Sequence, residues 1–118
     1  MAAALPKRVI VGPYRLDVHF GGPEWERQLA EQREESPDEL LYGRCDLTRG
    51  QIVLNPDMSE DLTRETLLHE VLHACFFATG AFPDDDQVSE ETAILLLSPI
   101  LVEVLRKNAG LVAYLRRR

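Results

Sequence analysis

The stretch from Ser59 to Gly80 limits the fold more than any other part of the chain. Ser59, followed by Glu60 and Asp61, makes a good helix start, because a hydroxyl oxygen and negative charge satisfy the free amides there. The periodic pattern predicts a helix to Ala78 or Thr79, with Gly80 as its stop. Leu67, Leu68, Val71, Leu72 and Ala74 make this helix apolar over most of its circumference, so the remaining residues must cover it. With 118 residues in all, the chain reads as one domain, 1–118, large enough to form a core without disulfide staples.

The covering elements are short strands and a second long helix. Val9 to Val11 and Tyr14 to Phe20 read as strands about a Gly12-Pro13 turn, and the second alternates cleanly. Glu24 to Glu35 is polar with Trp25 and Leu29 as anchors, compatible with a short amphipathic helix or an insertion. Leu40 to Asp46 and Gln51 to Leu54 flank Thr48-Arg49-Gly50 and predict a hairpin. Asp84-Asp85-Asp86 is expected to open the second long helix, which runs to about Asn108 with Gly110 beyond it and a kink or break at Pro99.

Inside the first long helix stands His69-Glu70-Val71-Leu72-His73, a complete H-E-x-x-H. Residues at i and i+4 share a helix face, so both imidazoles can reach one ion. Glu70 is offset by about 100° from His69, which sets its carboxylate beside that ion, where it can take a proton from an activated water. A buried helix carrying two histidines and a glutamate needs a reason for them, since unpaired polar groups are costly there. Two neutral imidazoles plus a carboxylate suit Zn2+.

A third ligand has two sources on the second helix, Glu90 and Glu91. Glu90 shares a face with Ala93, Ile94 and Leu97, the side expected to pack inward, and is favoured; Glu91, with Leu95 and Ser98, stays as the alternative. The other histidine, His19, stands on the first hairpin, and Cys45 on a neighbouring strand would allow a two-histidine, one-cysteine set. Tyr42 and His19 are the candidate partners for a developing oxyanion. Cys75, Phe76, Phe77 and Phe82 read as packing residues.

Charge and cysteine content narrow the setting. Twenty acidic against thirteen basic residues give a net charge of −7, which argues against nucleic acid as a partner. No apolar run approaches bilayer length, and residues 1–16 lack the apolar core of a secretory signal. Two cysteines cannot build a disulfide scaffold, so a reducing, intracellular compartment is expected.

Thr66 to Ala74, the acidic helix start after it and Leu105-Arg106-Lys107-Asn108 together resemble the small phage and prophage gluzincin-type zinc metallopeptidases. The likeness covers roughly the second half of the chain and the hairpin from Tyr42-Gly43 to Leu54. It implies an α+β, zincin-like fold with a small three- to four-stranded, mostly antiparallel sheet packed on two long helices. It also implies His69, His73 and Glu90 as zinc ligands, Glu70 as general base, and peptide-bond hydrolysis in the cytoplasm of a phage-infected or lysogenic host. An edge strand, expected at Gln51 to Leu54, would hold a peptide substrate by strand addition. The larger gluzincins carry an acidic residue four positions after the ligand glutamate; Ile94 stands there in this chain, so support for a metal histidine would come from Asp46, Glu65 or a backbone carbonyl. The competing expectation is a zinc-stabilised accessory or regulatory binding module without catalysis.

Overall fold

A computed structural model describes residues 4–80 and 89–117. The chain is α+β, with four strands in one sheet and four helices. The strands are β1 (Arg8–Val11), β2 (Tyr14–Phe20), β3 (Gly43–Asp46) and β4 (Gln51–Leu54). The helices are α1 (Gly22–Glu35), α2 (Glu60–Ala78), α3 (Glu90–Lys107) and α4 (Ala109–Arg116). Sheet order is β1-β2-β4-β3. The β1/β2 and β3/β4 pairs are antiparallel, and β2/β4 is parallel with Val18 opposite Ile52.

This order corrects the expected edge strand. β4 lies between β2 and β3, and all four of its residues are buried. A consecutive apolar run, Ile52-Val53-Leu54, is what a strand covered on both faces requires, whereas an edge strand open to solvent alternates. The free edge on this side is therefore β3.

The other edge, β1, is sealed by one side chain. Asn108, buried at the α3–α4 junction, accepts from the Ile10 amide and donates to the Ile10 carbonyl, both at 2.8 Å. Its amide thus reproduces a strand neighbour and pairs groups that would otherwise be orphaned. α3 ends at Lys107 with Asn108 as its cap and Gly110 beyond it, as expected, and Gly110 falls in the first turn of α4.

The core joins Val9, Val11, Leu16, Ile52 and Leu54 of the sheet to Leu67, Val71, Ala74 and Cys75 of α2 and to Val104, Leu111 and Tyr114. Ser59 caps α2 as expected, its hydroxyl accepting from the Leu62 amide at 3.2 Å. Polar as it is, Glu24 to Glu35 does form a helix: α1 buries Trp25, Gln28 and Gln32. Gly43 and Cys45 face α2, so by strand alternation Arg44 and Asp46 face α1, where Gln28 donates to Asp46 at 2.8 Å. α1 thus covers the opposite face of the sheet.

α3 begins at Glu90 with Ser89 as its cap, the hydroxyl accepting from the Thr92 amide. The expectation placed on Asp84 to Asp86 lies outside the described residues. The helix runs unbroken through Pro99, contrary to the expected interruption. Pro99 removes the donor for the Leu95 carbonyl, but both residues are exposed, and water can serve that carbonyl instead.

Candidate metal centre

α2 turns two faces toward different surroundings. Thr63, Thr66, Leu67, Glu70, Val71, Ala74 and Cys75 are buried along one stripe, while His69 and His73 are exposed on its flank. Of the three polar residues, only Glu70 is buried and needs partners on that account. Both imidazoles are exposed, so their ring nitrogens can meet a ligand from outside the core.

Those nitrogens converge. The Nε2 atoms of His69 and His73 lie 3.1 Å apart, and the rings meet edge to face at 4.7 Å between centroids. An ion held tetrahedrally at about 2.0–2.1 Å from each of two nitrogens keeps them roughly 3.3 Å apart. The pair therefore fits two positions of a zinc site in donor type and in spacing.

Glu70 lies beside the pair, 6% exposed. Burial pushes its carboxyl above the ordinary range; His73, His69, the backbone amide of Cys45 and Arg44 all pull the other way and only partly offset it. Cys45 of β3 and Glu70 line one cavity, so a base on α2 stands against the edge strand.

A cavity of about 400 Å3 opens over these groups, lined by Leu41, Gly43, Arg44, Leu47 and Phe77 besides Cys45, His69, Glu70 and His73. A second cavity of about 390 Å3 shares Leu41, Gly43, His69 and Glu70 and extends past Tyr42, Leu62, Glu65 and Thr66. Together they form a cleft between α2 and the Leu41–Leu47 segment, with the histidines along it. Gly43 has no room for a side chain: a Cβ would stand 2.9 Å from Thr66 Cγ2 and 3.0 Å from the Val53 carbonyl. Close approach of β3 to α2 is what brings Cys45 to Glu70.

Among the described residues, no group of three or more His, Cys, Asp or Glu side chains is assembled to hold a metal ion. Glu90 and Glu91 occupy the first turn of α3, and their side chains lie outside the described residues. The α3 residue beside the pair is Leu97, which shares a pocket with His69, Leu72, His73 and Phe76. Cys45 lines the histidine cavity but does not complete a donor set. Its thiol is pushed up to about 12 by burial and by the Glu70 and Asp46 carboxylates.

Several expectations need correction. His19 stands away from the cleft, its Nδ1 3.7 Å from a Glu24 carboxylate oxygen, because that face of β2 is covered by α1. Tyr42, the other oxyanion candidate, does stand at the cleft: it lines the second cavity with His69 and Glu70 and is exposed at its rim. Asp46 is engaged by Gln28 and Arg49 on the far face of β3 and orients neither histidine. Phe76 and Phe77 line the pockets beside the histidines, and Phe77 is 42% exposed. Spacing could have revealed Phe77, since residues 69, 73 and 77 form one i, i+4, i+8 line. Cys75 is fully buried packing, as expected.

Comparison with known protein families, with curated proteins and with solved structures finds no match for this chain. No described helix is long and apolar enough to cross a membrane.

Proposed function

We propose that the chain is a zinc-dependent peptidase of the small phage gluzincin type, acting in the cytoplasm on extended polypeptide and not on nucleic acid or membrane. The observation that carries this reading is the convergence of His69 and His73 Nε2 at 3.1 Å beside a buried Glu70, within a cleft bounded by an edge strand. His69 and His73 would hold the ion, with Glu90 as third ligand and Glu91 as the alternative. Zinc, when bound, polarises a carbonyl and lowers the pKa of water.

The rest of the chemistry belongs to the chain. Glu70 accepts the proton of the attacking water and returns it to the departing amine. Its burial against β3 keeps the carboxylate near one position during both transfers. β3 has a strand neighbour on one side only, so its outer backbone groups can pair with an extended substrate lying along the cleft.

Glu70→Gln tests the reading directly. The variant is expected to bind zinc at wild-type stoichiometry by elemental analysis and to lose at least about a hundredfold in chelator-sensitive cleavage of an unfolded protein. Wild-type protein that binds zinc yet cleaves nothing across a broad peptide library would instead establish a zinc-stabilised binding module. Metal content of Glu90→Ala and Glu91→Ala identifies the third ligand; loss of zinc in the second variant alone transfers that role to Glu91.

A further inference from the structure

The cleft has two unlike ends. α2 and the Leu40–Leu47 segment run along it in the same sense. Leu40 and Tyr42 share one cavity with Leu62, Glu65 and Thr66, while Cys45 and Leu47 share the other with His73 and Phe77. His69 and Glu70 line both cavities and stand between the ends. Apart from Glu70, no carboxylate is among the described residues that line the Phe77 end. The opposite end has one: Glu65, exposed on α2, lies beside Leu40, Tyr42 and Leu62. Leu40 is 69% exposed and Tyr42 46%, so this end offers open apolar surface next to a carboxylate.

The fold itself makes no use of that charge. Arg64, the adjacent cation, directs its guanidinium to Glu60, Asp61 and the Tyr114 carbonyl. Among the described residues no cation pairs with Glu65, and His69, one turn further along α2, does not either. Apolar walls with one unpaired carboxylate suit a side chain with an aliphatic stem and a cationic head, Lys or Arg. An acidic side chain would meet Glu65 and Glu70 together, and an apolar one would strip water from Glu65 without replacing it. The net charge of −7 also favours the approach of a basic substrate. Glu65 precedes His69 by four residues, about 6 Å along the helix axis. Two residues of extended chain span about the same distance, which places the selected residue within about two positions of the bond aligned with the histidines.

We propose that Glu65 sets substrate specificity: its end of the cleft receives a Lys or Arg side chain of an extended polypeptide, close to the bond that is cleaved. Cleavage beside that residue rests on the proposed peptidase activity; seating of the side chain does not. Mass spectrometry of a peptide library digested by the zinc-loaded full chain is expected to show Lys or Arg enriched at one position within about two residues of the cut. Peptides that differ only by Lys or Glu at that position should differ about tenfold in kcat/KM, Lys over Glu. Glu65→Gln should flatten that order and Glu65→Lys should reverse it, both with zinc stoichiometry kept. Protein that binds zinc and cleaves nothing would end the peptidase reading alone. The same order and its reversal are then expected in binding, by fluorescence anisotropy of peptides carrying Lys or Glu at each position in turn. Equal use of Lys and Glu peptides by the wild type, or an order unmoved by Glu65→Lys, would overturn the proposal. So would loss of zinc in Glu65→Gln with a uniform fall toward both peptides, the mark of a group that supports His69, and so would the absence of both cleavage and binding.

Discussion

At the scale of single residues, Gly43 sets how closely β3 approaches α2. It lets β3 lie against Thr66 of α2, and through that approach Cys45 and Glu70 line one cavity. Gly43→Ala must push a methyl group into Thr66, the Val53 carbonyl and Leu54, at 2.9, 3.0 and 3.2 Å. Overpacking of this kind costs about 1–3 kcal/mol. The variant should unfold at lower urea concentration and, if Glu70 is the base, lose cleavage activity at unchanged zinc content, because the strand retreats from the helix that carries both. Equal activity and equal stability would show that β3 has slack against α2.

At the scale of elements, the β3–β4 hairpin depends on Asp46. Its carboxylate accepts from the Arg49 amide at 3.1 Å, from the Arg49 guanidinium at 2.8 Å and from Gln28 of α1 at 2.8 Å. Partial burial raises its pKa, but the Arg49 and Gln28 hydrogen bonds outweigh that and hold the carboxyl below its ordinary value. A depressed carboxylate stabilises the fold fully above its unfolded pKa, and that contribution disappears as pH falls through the folded one. Asp46→Asn should therefore be less stable than wild type at neutral pH, with the gap closing in acid below the usual carboxylate range; urea titrations at several pH values would measure it. A gap that stays constant into acid would mean that the hairpin does not depend on that charge. The turn was visible in Thr48-Arg49-Gly50, but the contribution of Gln28 was not, because α1 is distant in sequence and its polar pattern leaves its packing face undefined.

For the whole molecule, metal and fold should be coupled. An ion bound by His69 and His73 on α2 and by Glu90 on α3 would clamp two helices that meet near Leu97, and binding to the folded state alone adds about 2.7 kcal/mol at a free concentration of about 100 times Kd. Zinc should raise the melting temperature by several degrees and chelator should lower it again. His73→Ala should abolish the response, and a melting curve indifferent to both reagents would exclude a site that joins the helices.

Local signals were enough for most elements. Alternation located β2, the Ser59 cap and the Gly80 stop bracketed α2, and i, i+4 spacing put His69 and His73 on one face. These properties depend on neighbours within about one helical turn or strand pair, which is the range that residue order controls directly. Tertiary pairing decided the rest. It placed β4 inside the sheet and β3 at its edge, left the two histidines open to solvent while burying the glutamate between them, sent His19 to the far face and left Leu95, Val102 and Leu105 of α3 exposed. Each of these outcomes depends on which distant segments lie next to one another. Many neighbour arrangements satisfy the same local pattern, and only packing the whole chain into one core selects among them.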